Sequence, residues 1–293
     1  MTRRGWLLFS AMCVLWGIPY LLIKVAVQEL SPTVLVFART AGAAALLLPI
    51  AAVRGQLRPL LAHWRPLVAF AAVEMAVPWL LLAHAERSLS SSLTGLLVAA
   101  VPMVAALGSR LLGDDDRLDR LRLLGLVVGL AGVAVLLGLD LGGELAAAAA
   151  VAVVVLGYAT GPLIISHRLS DVPALGVIAG SLGLTALVYA PFAVAGWPSR
   201  VPSAKVLSSV AVLALACTVA AFLVFFALIA EAGPQRALVI TFVNPAVAVT
   251  LGVVLLGEHL TAGLLVGFPL ILVGCVLATR RSAGAGEPVA VPG

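Results

Sequence analysis

Ten apolar stretches of about twenty residues follow one another along the chain, with short connections between them. They run near 5–27, 32–53, 67–86, 88–112, 122–139, 145–167, 172–196, 206–230, 235–256 and 261–279. A helix of about 20 apolar residues crosses a hydrocarbon layer about 30 Å thick. Hydrocarbon offers no partner to backbone polar groups, so each crossing stretch must be helical. Hydrophobic residues are 62% of the 293 and charged residues 11%, with a mean hydropathy of +1.18. No soluble domain needs that much apolar surface, and the solvent is therefore the lipid bilayer. The expected fold is an all-α polytopic membrane protein with ten transmembrane helices. The first stretch has no small-residue cleavage site after a short apolar core, so it reads as a retained helix and not a signal peptide.

The net charge of +5 does not point to nucleic acid, because the cations are scattered through short loops. That scatter is a topology signal. With a cytoplasmic N-terminus, the inner side holds Arg3, Arg4, Arg54, Arg58, Arg65, Arg117, Arg120, Arg122, Arg168, Arg236, Arg280 and Arg281. The outer side holds only Arg87, Arg200 and Lys205, so both termini are expected inside. Asp114, Asp115 and Asp116 share an inner loop, where acids weigh little. Cys13, Cys217 and Cys275 lie in apolar stretches and read as small packing residues. Residues 282–293 are low in complexity and are expected to be disordered.

The two halves of the chain repeat. Trp16-Gly17 matches Leu156-Gly157, Pro32 matches Pro173, and Leu48-Pro49 matches Ala190-Pro191. Pro102 matches Pro245, and Leu111-Leu112-Gly113-Asp114 matches Leu255-Leu256-Gly257-Glu258, with an offset that drifts only from 140 to 144. Gly125 and Gly129 likewise match Gly263 and Gly267, pairs that read as packing or dimer surfaces. Five helices is an odd number, so the second half must enter the membrane upside down. Two inverted five-helix repeats follow, 1–143 and 144–281, the architecture of secondary transporters with a site near the midplane.

The run Leu15-Trp16-Gly17-Ile18-Pro19-Tyr20 through Lys24, then Pro32 and Arg39, resembles the first two helices of the EamA-type transporters of the drug/metabolite transporter superfamily. Leu-Leu-Gly-Glu-His-Leu-Thr at 255–261 is similar to that family's signature before its last helix. The likeness covers Gly5 to Thr279 and departs at Gly113-Asp114-Asp115-Asp116, where glutamate is usual. It implies an exporter of amino acids or similar small metabolites in a bacterial-type inner membrane. It also implies a cavity walled by helices one, three, four, six, eight and nine, with the fifth and tenth peripheral.

Chemistry in such a chain falls to polar groups held in the membrane. Trp16, Tyr20 and Lys24 are spaced i, i+4, i+8 and share one helical stripe, interrupted by Pro19. Lys24 either faces the interior or snorkels to an interface. Glu74 is the one carboxylate deep within a span, a candidate for proton exchange or for gripping a substrate amine. The structural alternative is an internal ion pair with Arg39 or Lys24. Arg39 is itself expected to be structural, with an internal partner. Trp79, Phe222 and Phe226 join Trp16, Tyr20 and Tyr158 as aromatic cavity candidates, rings that suit an amphipathic ligand. Asn244 needs a partner from another helix or from the ligand. Pro78, Pro102 and Pro245 join Pro19 as expected helix breaks or gating points. Ser88, Ser91, Ser92 and Gly95 read as a packing face, and His84 as an interfacial histidine.

No His-Glu-x-x-His pair, phosphate-cradling glycine loop or Gly-x-Ser-x-Gly elbow occurs, so no catalytic residue, metal ligand or cofactor is expected. The expected partners are a small-molecule substrate and the bilayer, with no nucleic acid, and a homodimer is left open. The reading is a secondary transporter working by alternating access. The alternatives are an intramembrane enzyme, which needs two convergent catalytic groups, and a lipid-flipping or scaffold protein.

Overall fold

The computed structural model describes residues 1–111, 120–140, 144–233, 237 and 239–279. The aspartate loop at 114–116, the tail at 282–293, and Arg117, Arg236, Arg280 and Arg281 lie outside the described residues. All regular structure among the described residues is helical, and ten apolar helical spans cross in sequence. Eight of these spans are at least 18 residues long; the last two described helices, Ile240–Leu256 and Ala262–Ala278, have 17 residues each.

The first span is α1 (Arg3–Gly17) and α2 (Pro19–Ala26), joined at Ile18. Proline without an N–H is tolerated at the start of a helix, so Pro19 divides the span there. The second span is α3 (Pro32–Val53). The short α4 (Arg58–Ala62) leads to the third span, made of α5 (Trp64–Phe70), a π-helical segment (Ala71–Ala76) and α6 (Val77–Ala85). The fourth is α7 (Ser91–Val98) and α8 (Val101–Leu111), interrupted at Ala99 and Ala100 just before Pro102. Then come α9 (Arg120–Asp140), α10 (Leu145–Arg168) and α11 (Ala174–Ala195). The eighth span is α12 (Ala204–Ala214), a second π-helical segment (Leu215–Ala220) and α13 (Ala221–Ala232). The ninth and tenth are α14 (Ile240–Leu256) and α15 (Ala262–Ala278).

Breaks therefore occur in the first and fourth spans but not in the sixth and ninth. Pro162 and Pro245 sit inside continuous helices, so the match of Pro102 to Pro245 in sequence is not a match in helix geometry. What does repeat is the π-helical segment, placed 144 residues apart, from Ala71 to Leu215.

The fifth and tenth spans pack chiefly on each other, α9 against α15. A Cβ on Gly125 would lie 2.5 Å from the Ala278 backbone nitrogen, and one on Gly274 would strike the backbone of Gly129. Of the two readings of these glycines, packing within the chain is the one observed. The second span packs on the seventh, α3 on α11, around Leu47, Ala51, Leu182 and Ala193, all fully buried. Leu7, Val127, Leu130, Leu187 and Leu265 point outward, each more than half exposed, and form part of the lipid-facing surface.

Candidate functional site

A π-helical turn holds one extra residue and drops a regular i→i−4 bond, which re-aims the side chains on it. The two π segments bring Glu74 and Thr218 to equivalent places in the repeats, 144 residues apart. Thr218 closes the gap in its own segment: its Oγ1 donates to the Leu213 carbonyl, five residues back, at 2.8 Å. The same oxygen accepts from Arg39 Nε at 3.0 Å. The Tyr189 hydroxyl performs a related task on the other segment, donating to the Ala76 carbonyl at 2.9 Å.

Glu74 sits against α10 at Gly161, one turn from Gly157. A Cβ at Gly161 would collide with the Glu74 carboxylate, and one at Gly157 would collide with the Val73 carbonyl. Glu74 Oε2 is shut away from solvent and has no hydrogen-bond partner. The ion pair with Arg39 or Lys24 that stood as the structural alternative is not formed; among the described residues Glu74 makes no salt bridge. A buried carboxylate oxygen without a partner costs about 1–3 kcal/mol or more, so the fold retains Glu74 at the expense of stability.

Arg39 is also unpaired by any acid among the described residues. Only 8% of it is exposed, and its guanidinium carbon lies 3.6 Å from the centroid of the Trp79 ring. Beyond the Nε bond to Thr218, its terminal nitrogens make no hydrogen bond to the described residues. Tyr20 and Tyr158, from the first and sixth spans, lie within electrostatic range of Arg39 and of each other, and Glu74 lies within range of Tyr158. Neither phenol hydroxyl donates to a backbone carbonyl of the described residues. Trp79 itself is buried under Arg39, so it supports the site from behind.

Aromatic rings form a second wall. Trp16 meets Phe222 edge-on at 5.9 Å and lies 4.8 Å from Phe225, and Phe222 lies 6.3 Å from Phe226. Phe225 was not singled out in the sequence. Trp16 faces the eighth span while the Tyr20 ring faces Gly95 on α7, so the break at Ile18 sends the two rings to different neighbours. Asn244 is satisfied by helices: with its amide turned to suit its surroundings, its nitrogen donates to the Cys13 and Ile240 carbonyls at 3.2 and 3.0 Å.

Lys24 neither snorkels nor reaches the central groups. Its Nζ donates to the Glu86 and Leu89 carbonyls, each at 2.7 Å, stitching the first span to the connection between third and fourth. The same face of the molecule is closed by Glu258. Gly257 adopts a left-handed φ of 68° and turns Glu258 onto the N-terminus of α7. There its carboxylate accepts from Ser91 N at 2.7 Å, Ser92 N at 3.0 Å and Ser92 Oγ at 2.5 Å. A carboxylate at a helix N-terminus satisfies free N–H groups and complements the dipole. Nearby, Glu29 Oε2 accepts from Ser203 N at 2.6 Å, and the Ser203 hydroxyl together with that amide holds the Glu29 carboxyl below the usual carboxylate range. Glycines allow the helices to meet deeper in: a Cβ on Gly17 would lie 2.5 Å from Val247, and one on Gly95 2.8 Å from Ala248.

The face that carries the N-terminus is arranged differently. There α1 packs on α13 and α14, and Arg4 lies 3.8 Å from Glu231, which also accepts from Thr2 Oγ1 at 2.5 Å. Across from them α10 packs on α5 and α8. No close helix packing joins α1, α13 or α14 to α5, α8 or α10 among the described residues. Glu74, Tyr158, Trp16 and Phe222, all partly exposed, thus lie between two helix groups that are bound together on the far face and share no close packing on this one among the described residues.

The profile of the EamA-like transporter family matches residues 3–138 and again residues 145–280. The chain belongs to the EamA-like transporter family. A relative described as the uncharacterized inner membrane transporter YedA of Escherichia coli K12 is 30% identical over 260 residues, 86% of this chain and 82% of that one. The YedA proteins of Escherichia coli O6:H1 and O157:H7 match to the same extent. A protein of known crystal structure superposes with a TM-score of 0.68 at 22% identity, covering 95% of this chain and 98% of the other, which shows the shared fold. As an EamA-like chain it is a multi-pass membrane transporter. The double profile match and the paired π segments are two views of the same inverted repeat.

Proposed function

We propose that this EamA-like protein is a secondary exporter of amino acids or similar small amphipathic metabolites, working by alternating access. The observation that carries the reading is Glu74, partly exposed between the two helix groups yet with its Oε2 buried and without a hydrogen-bond partner. A transporter needs a central site reachable from one side while the other is closed. Lys24 and Glu258 supply the closure, and the separation of α1, α13 and α14 from α5, α8 and α10 supplies the opening. Under the charge reading of the loops the open face is cytoplasmic, which is the loading state of an exporter.

Glu74 is the group proposed to couple transport to protons, because its neighbours leave its charge uncompensated and no fixed cation competes with a proton. A catalytic reading needs a second group converging with Glu74, and none is hydrogen-bonded to its buried oxygen among the described residues. Counterflow of labelled amino acids into proteoliposomes tests the transport reading; protein-dependent exchange is expected. Glu74→Gln should retain exchange while losing its dependence on pH. Export whose dependence on pH survives unchanged in Glu74→Gln removes Glu74 from the coupling step.

A further inference from the structure

We propose that Arg39, with the Tyr20 and Tyr158 hydroxyls, forms a carboxylate-binding clamp. The residue pattern alone assigns Arg39 a structural role with an internal partner, and the structure supplies only half of one. Thr218 takes Nε and the Trp79 ring takes one guanidinium face. Nothing among the described residues takes the two terminal nitrogens, and no carboxylate there lies within ion-pair distance of them.

An arginine that is nine-tenths buried with its fork unused is costly unless an anion completes it. The fixed fork of two parallel N–H donors matches a carboxylate, bidentately. Thr218 and Trp79 together fix the plane of that fork from behind. Tyr20 and Tyr158, one from each repeat, lie within electrostatic range of Arg39, with Glu86 also in range of Tyr20. Tyr158 packs on the core cluster that holds Trp79, and these two phenols are the O–H donors assigned to the clamp. The first, second and sixth spans each contribute donors, and none contributes an acceptor of opposite charge. Glu74 lies within electrostatic range of Tyr158 and supplies the negative charge that an ammonium beside the bound carboxylate would meet. On the far face Lys24 is spent on two carbonyls and Glu258 on three donors, and the fully buried Glu86 beside Lys24, its carboxyl oxygens unpartnered, is an acid that offers no donor to a carboxylate.

This assignment rests on the transport reading for its biological use, but binding can be read without transport. Thermal stabilisation of the purified full-length protein is measured with leucine, phenylalanine and threonine, and with the α-amide of each, which keeps the ammonium and side chain but lacks the carboxylate. At least one free acid should stabilise the protein, and its amide at the same concentration should not. Tyr20→Phe and Tyr158→Phe retain each ring and remove one donor; each should weaken binding of that acid roughly tenfold, the size of one charge-assisted hydrogen bond. Arg39→Lys keeps the charge without the fork and should weaken it further. Acids and amides that stabilise equally, or acid binding unchanged in both phenylalanine variants, overturn the clamp. Carboxylate-selective binding with no counterflow in proteoliposomes would instead retain the clamp and refute the transporter reading.

Discussion

Gly161 shows how closely one residue constrains the site. The carboxylate of Glu74 occupies the space that any side chain at 161 would fill, so Gly161→Ala must push Glu74 or the whole of α10 aside. Overpacking of this kind costs about 1–3 kcal/mol. Gly161→Ala should therefore lower the unfolding temperature in detergent and impair exchange at the same time. Gly138→Ala is the matched control: nothing lies within 4 Å of its would-be Cβ, and alanine in a helix should leave stability level or slightly raised. Equal unfolding temperatures for the two variants would show that Glu74 does not depend on the close approach of α10. Glu74 itself was legible in the sequence, because a lone acid within an apolar run stands out. The partners of Lys24 were not, since hydropathy gives depth in the bilayer but not which neighbouring carbonyl an ammonium will reach.

Among elements, the spans and their order were legible and the π segments were not. Length and apolarity mark a crossing helix well. The faces are harder, because lipid and protein core are both apolar and a buried helix has little amphipathic contrast to read. A π turn is one extra residue in a continuous apolar run, and because both repeats carry it the offset between them does not reveal it. Prolines misled for a related reason: Pro102 follows a break while Pro245 rides inside a helix, although the repeat pairs them. The connections between spans carry their own chemistry. Glu29 joins the first loop to the N-terminus of α12 through the Ser203 amide, and its folded carboxyl titrates below the ordinary range. For an acid lowered on folding, the contact contributes fully above the unfolded value and is lost as pH falls through the folded one. Hydrogen exchange at the Ser203 amide should stay slow through neutral pH, after correction for intrinsic rates, and lose protection only in strongly acidic solution. Glu29→Gln should remove that acid-dependent loss; the same loss in the variant would assign it to another group.

At the scale of the whole molecule, the proposed alternating access draws both its closure and its opening from the two repeats. Inverted copies can exchange conformations, so the arrangement seen on one face becomes available to the other when the repeats rock. Under the proposed alternating access the far face is a gate and not a permanent seam, and the Glu258 contacts with Ser91 and Ser92 would break in each cycle. A Cβ at Gly252 would fall directly against Ser92 Oγ, so cysteines substituted at these two positions stand within disulfide reach. In a background where Cys13, Cys217 and Cys275 are replaced by alanine, the Gly252→Cys, Ser92→Cys double variant should cross-link under mild oxidation. Cross-linking should stop counterflow, and reduction should restore it to the level of the unoxidised variant. Each single cysteine variant should be indifferent to oxidant, which separates the lock from damage caused by the substitutions. If the cross-linked protein exchanges substrate as fast as the reduced form, the face tied by Glu258 never opens, and the passage for substrate must run elsewhere through the repeats.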